Sequence, residues 1–199
     1  MNQTGMNGMN GTNGTNGMNG TTTWSRVVMN AACDELLRPL PCASFAALEV
    51  SGRRWREFGF ASYRSVEYPE YDLCAGPLAD SFDLVIAEQI FEHLIYPYRA
   101  GRHVHAMLRP GGWFLISVPF LVKVHHYPVD CTRWTELGLK HFLHECGFPL
   151  EHIRTGSWGN RACVTANFAS WVVYDQAAHD LTNEPEFPYH VWALARRDP

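Results

Sequence analysis

The sequence predicts an α/β fold, a doubly wound and mostly parallel sheet with helices on both faces. Three observations carry that prediction. Residues 82–87 (Phe-Asp-Leu-Val-Ile-Ala) are a short apolar run entered through an acidic turn, which suits a strand buried on both faces. Residues 113–118 (Trp-Phe-Leu-Ile-Ser-Val) are a second such run, entered through Pro110-Gly111-Gly112. Between them Ile90, Leu94, Val104 and Leu108 are mixed with Arg99, Arg102 and histidines, as on a helix packed against a sheet. Strand, helix and strand in this order make one βαβ unit. Parallel sheets bind ligands beyond the carboxyl ends of their strands. Those ends are Ala87-Glu88-Gln89 and Ser117-Val118-Pro119-Phe120.

The remaining elements follow in order. Residues 1–23 repeat Met-Asn-Gly and Thr-Asn-Gly without a charge or an aromatic ring. Such a segment buries too little apolar surface to offset its ordering entropy, so it is expected to be a disordered tail, with one folded domain over 24–199. Val27, Val28, Ala31, Leu36 and Leu37 follow helical spacing, with Ser25 placed to cap the start and Pro39 to end it. Residues 45–50 read as a first buried strand, a short helical piece surrounds Trp55, and 61–66 read as a second strand ending at Glu67. The segment 68–73 is too short for a helix plus a strand. Residues 135–146 read as a helix capped by Thr135, packed through Leu137, Leu139, Phe142 and Leu143, and stopped by Gly147. Strands at 150–154 and 191–195 close the sheet, while 156–171 stays ambiguous.

Composition excludes several classes of function. With 46% hydrophobic residues in 199, the chain can build a sizeable core. A net charge of −4 leaves no basic field for nucleic acid or an anionic membrane. No run is long or apolar enough to span a bilayer. The six cysteines are scattered without a Cys-x-x-Cys, which reads as thiols in a reducing compartment. The N-terminus lacks the basic and apolar regions of a signal peptide, so a cytoplasmic location is expected. The oligomeric state stays open, a homodimer included.

Ala47-Leu-Glu-Val-Ser-Gly52, Ser81-Phe-Asp-Leu-Val-Ile-Ala87, Phe91-Glu-His-Leu94 and Leu108-Arg-Pro-Gly-Gly-Trp-Phe-Leu-Ile-Ser117 together resemble the class I S-adenosylmethionine-dependent methyltransferases over about 45–148. The resemblance implies a Rossmann-like sheet and S-adenosyl-L-methionine as cofactor. Two departures stand out. The loop after the first strand is Ser51-Gly52-Arg53-Arg54 where the family has Gly-x-Gly-x-Gly, and the stretch from Glu67 to Asp83 is short, as if a helix beside the adenosine were missing.

The resemblance also implies site residues. Glu49, with Ser51 and Gly52, is expected at the methionine ammonium; the structural alternative is a carboxylate capping a helix start. Glu67 is expected to accept from the ribose hydroxyls, and Asp72 with Leu73 to meet the adenine. Ala87, Glu88 and Gln89 are expected to line the methionine end. Glu92-His93 reads as packing and capping, and Pro110-Gly111-Gly112 as turn chemistry without a catalytic part.

The segment 120–135, containing His125, His126, Asp130, Cys131, Arg133 and Trp134, leaves the fifth strand of that scheme on the side where an acceptor must lie. His125 or His126 is expected to act as a base that takes the proton of the acceptor. The same histidines with Asp130 and Cys131 resemble metal ligands, but they are compressed into one loop and no second ligand set is evident, so no metal is expected. Asp130 pairing with Arg133, and Trp134 packing, would hold the loop. Asn160-Arg161 is a weaker candidate for a substrate carboxylate or hydroxyl. The leading functional reading is methyl transfer to a small molecule with an O- or N-nucleophile. The alternatives are a non-catalytic scaffold with the same fold and, third, a metal-dependent hydrolase.

Overall fold

The computed structural model describes residues 22–126 and 128–199. Of the expected tail, 1–21 lie outside the described residues. Thr22 and Thr23 already belong to the folded part: the Tyr174 N–H donates to the Thr22 carbonyl at 2.9 Å, and Thr23 bridges Val173.

Six strands form one sheet: β1 (Ala46–Val50), β2 (Ser62–Val66), β3 (Phe82–Glu88), β4 (Leu108–Pro119), β5 (Ile153–Trp158) and β6 (His190–Arg196). Their spatial order is β2-β1-β3-β4-β6-β5. The first four are parallel, and β6 enters antiparallel between β4 and β5. This is the doubly wound, mostly parallel arrangement expected.

Helices cover both faces because the parallel strands are apolar on both. Leu48, Val50, Val85, Ala87, Phe114 and Ile116 face one layer, with Phe142 and Leu143 of α3 (Glu136–Glu145) and Val104 of α2 (Pro97–Met107). Ala47, Leu84, Ile86 and Leu115 face the other, with Met29, Cys33 and Leu37 of α1 (Arg26–Leu37) and Cys163 of α4 (Arg161–Ala166). Each fully buried Leu, Ile or Phe contributes about 1.5–3 kcal/mol relative to exposure.

Several local expectations are corrected. Pro110-Gly111-Gly112 does not precede the strand but kinks within β4, where Phe82 pairs Leu108 and Leu84 already pairs Trp113. A Cβ on Gly112 would stand 2.9 Å from the Arg109 carbonyl oxygen, so only glycine fits that close approach. Ser25 adopts helical dihedrals and makes no side-chain cap. Leu137 is exposed, since helical spacing carries it to the solvent side of α3. The helical stretch between β3 and β4 is interrupted: a single 3-10 turn covers Phe91–His93 and α2 begins only at Pro97. Thr135 does cap α3, accepting the Gly138 N–H at 3.1 Å, and Gly147 ends it at φ 111°. The ambiguous 156–171 region divides into the end of β5 and α4.

The two departures noted in the sequence have structural counterparts. No helix follows β1; a single 3-10 turn at Arg56–Phe58 takes its place. Between β2 and β3 the described residues form only turns, among them a cis Tyr68-Pro69 bond.

Candidate active site

The carboxyl ends of β1, β2, β3 and β4 lie on one edge of the sheet, and the expected site residues divide there into two groups.

The first group surrounds the ends of β1 and β2. Glu49 is 3% exposed, and its carboxylate faces its own chain. Oε1 accepts the Arg54 N–H at 3.1 Å; Oε2 accepts the Trp55 N–H at 3.1 Å and the Tyr63 hydroxyl at 2.6 Å. Burial pushes the Glu49 carboxyl up, and the Tyr63 and Trp55 donors pull against it. A carboxylate so placed caps the loop after β1. Ser51, at φ 56°, donates through Oγ to Glu67 Oε2 at 3.2 Å. Gly52, at φ 147°, packs against Glu49 so closely that a Cβ would stand 2.7 Å from Oε1. Glu67 and Asp72 are exposed, and Asp72 accepts the Cys74 N–H at 2.8 Å. Leu73 is buried in the core and its carbonyl meets His103 Nδ1 at 2.8 Å.

Arg54 and Trp55 were not among the expected site residues, yet they link this group to β3. Trp55 is 1% exposed, and its indole N–H donates to Glu88 Oε2 at 2.8 Å. Arg54 lies over the Trp55 ring with its guanidinium carbon 4.1 Å from the centroid, and bonds Asp34 Oδ1 of α1 at 2.5 Å. Glu88 Oε1 and Arg54 Nη1 are buried without a hydrogen-bond partner. Ala87 is fully buried in the strand, whereas Gln89 turns at φ 58° and donates to Ser117 Oγ at 3.2 Å.

The second group lies beyond β3 and β4. Asp130 receives the Arg133 guanidinium on both oxygens, at 2.7 Å to Oδ2, and the His125 N–H at 2.8 Å. Burial pushes the Asp130 carboxyl up, but Arg133 and the His125 N–H outweigh it and hold it at about 2. Trp134 packs into the core, so the pairing and packing expected of this loop are present. His125 is half-buried, with Nδ1 3.3 Å from Asp130 Oδ2, while His126 is exposed. Against this loop stands the turn after β3. Glu92 is 1% exposed; burial raises its carboxyl to about 8 and lowers the His93 imidazole. His93 meets His125 edge to face at 5.1 Å between ring centroids. Asn160, just beyond the end of β5, is engaged by its own chain: it caps α4, accepting the Cys163 N–H at 2.7 Å.

Residues 41–116 match the family model of the methyltransferase domain. Over that stretch the chain is similar to methyltransferases. Among solved structures, a S-adenosylmethionine-dependent methyltransferase of Mesorhizobium loti is 18% identical, with a TM-score of 0.52 over 85% of this chain and 100% of that one. One of Archaeoglobus fulgidus is 12% identical, with a TM-score of 0.54 over 84% and 94%. Phosphoethanolamine N-methyltransferase 2 of Haemonchus contortus, solved with phosphomonomethylethanolamine and S-adenosylhomocysteine, is 15% identical, with a TM-score of 0.54 over 87% of this chain and 53% of that one. These likenesses concern the fold. No curated protein matches the sequence. At its sheet edge Arg54 stacks on Trp55 in the loop after β1, and a histidine-bearing loop follows β4. No helix among its described residues is long and apolar enough to cross a membrane.

Proposed function

We propose that this chain is an S-adenosylmethionine-dependent methyltransferase acting on a small-molecule acceptor through an oxygen or nitrogen nucleophile, with the cofactor on the β1–β3 side of the edge and the acceptor under the 120–135 loop. The observation that carries the reading is Glu88 Oε1, a buried acceptor without a partner at the end of β3. The donor set suits S-adenosylmethionine, whose ammonium, sulfonium and ribose hydroxyls are cations and donors. Glu88 would hold the ammonium, Glu67 the ribose and Asp72 the adenine amino group, with Gln89 beside them. Ser51, Gly52 and Glu49 would shape the turn that borders the methionine end, Glu49 by capping it, and Leu73 and Ala87 would support the pocket from the core. The cofactor supplies a methyl group already activated on sulfur. The chain's task is therefore to align the nucleophile, exclude water and take up a proton. His125 and His126 lie on the acceptor side for that last task.

Calorimetry with S-adenosylhomocysteine tests the reading on the wild type and on Glu88→Gln. Loss of one charge-assisted contact should weaken binding by about 1–3 kcal/mol. Equal affinity in the folded variant would remove Glu88 from the site, and no binding to the wild type would overturn the reading.

One observation favours a second reading, a non-catalytic partner protein. Every hydrogen bond of Glu49 goes to its own chain, and Trp55 with Arg54 covers the edge between β1 and β3. Absence of cofactor binding, with the fold intact, would select it.

A further inference from the structure

Among the described residues, one group of potential metal donors comes together, and two separate segments build it: Glu92 and His93 from the turn after β3, and His125 from the loop after β4. One ligand atom from each lies within 4.8 Å of the others. The loop alone lacks a second donor set, and the turn provides one.

The hydrogen bonding around the group points to a cation. His93 Nδ1 is 2.5 Å from the Val129 carbonyl oxygen, which only accepts, so Nδ1 carries the proton and Nε2 keeps its lone pair. That lone pair faces Glu92 Oε1 at 3.5 Å. With Glu92 ionised, two acceptors confront each other in a nearly dry place that a cation would bridge, and Glu92 Oε2 is buried with no hydrogen-bond partner. His125 repeats the pattern: its Nδ1 is 3.3 Å from both Asp130 Oδ2 and the Lys123 carbonyl oxygen, which leaves Nε2 as the free donor atom. An imidazole whose Nδ1–H is held by a carbonyl or carboxylate is the arrangement that orients histidine toward a metal.

We propose that Glu92, His93 and His125 form a three-ligand site for a divalent transition ion of the zinc type. Two imidazoles and one carboxylate match its preference, and three protein ligands leave a coordination position open. Donors at about 2.0–2.2 Å from such an ion lie roughly 3.4 Å apart in tetrahedral geometry. The Glu92–His93 separation of 3.5 Å already meets that spacing, so only His125 has to close in. The site stands at the sheet edge on the acceptor side. Given the methyl-transfer reading, the open position would take an oxygen of the acceptor, a hydroxyl or carboxylate. His125 then serves the acceptor through the ion and not as a base.

The test uses the full chain, stripped with a chelator and titrated with Zn2+ alone against a chromophoric competitor. We expect one equivalent bound with a submicromolar Kd, a rise in Tm, and visible absorption of the Co2+ form. Glu92→Gln and His125→Gln should each weaken Zn2+ by about 10-fold to 100-fold or more, while His141→Gln on the exposed side of α3 should not. His125 is half-buried, so its variant can be checked for folding by circular dichroism if Glu92→Gln fails to fold. Binding below one equivalent, or unchanged affinity in a folded His125→Gln, would overturn the proposal and leave a shared proton between Glu92 and His93. Because the titration contains no cofactor, stoichiometric Zn2+ binding without S-adenosylhomocysteine binding would support the site and defeat only the methyl-transfer reading.

Discussion

The Trp55 indole N–H donates to Glu88 Oε2 at 2.8 Å, so the loop that follows β1 is anchored on the carboxylate that ends β3. With no helix after β1, this contact and the Arg54–Asp34 ion pair hold the edge together. Trp55→Phe keeps most of the apolar volume and removes the donor. Glu88 Oε2 then loses its hydrogen-bond donor and keeps only the longer ion pair to Arg54 Nη1 at 3.6 Å, and stability should fall by about 1–3 kcal/mol. Urea unfolding measures this, and an unchanged midpoint would show that the loop is held elsewhere.

Glu49 presents the same question from the other side of the loop. Glu49→Ala leaves the Arg54 and Trp55 N–H groups and the Tyr63 hydroxyl without their acceptor, so a loss of about 1–3 kcal/mol in stability is expected. Its cofactor affinity should fall too, because the turn bordering the methionine end loosens. Tyr63→Phe removes only one donor and should leave affinity near wild type. If Glu49→Ala weakens S-adenosylhomocysteine without changing stability, Glu49 contacts the cofactor directly.

Stability should decline in mild acid through His190. Burial drives this imidazole well below its ordinary value, and neither ring nitrogen has a partner. Below about pH 6.5 the unfolded chain binds a proton that the folded chain refuses, so stability falls as pH falls, by about 1.4 kcal/mol per unit for this group. Above that pH both states are neutral and the effect vanishes. His190→Leu should flatten the slope of unfolding free energy between pH 6.5 and 5.5; an unaltered slope would assign it to other histidines.

On the acceptor side, His125→Ala should lower kcat by about 10²–10⁴-fold with cofactor affinity unchanged, the range expected when a proton-handling or acceptor-positioning group is lost. His126 is exposed and His125 is held by Asp130, so the larger loss is expected at His125. Turnover of a methyl acceptor measures kcat, and calorimetry measures the cofactor. If both variants lose cofactor affinity instead, the loop lies on the cofactor side.

The sequence by itself determined the sheet and its two covered faces. The runs at 82–87 and 113–118 are apolar at every position but Asp83 and Ser117, which suits a strand buried from both faces. It also located the site edge, because the carboxyl ends of parallel strands are set by the direction of the chain. The missing glycines after β1 and the short stretch after β2 were legible in the sequence. What filled the space was not: Trp55 reaches Glu88 across thirty-three positions, and no local pattern encodes a contact of that separation. The same holds for Glu92-His93, which reads as helix packing until β3 and β4 lie side by side and bring His125 against it. Local spacing specifies periodicity and caps. Which carboxylate stays buried without a partner depends on residues far apart in the chain, and only the packed tertiary structure decides that.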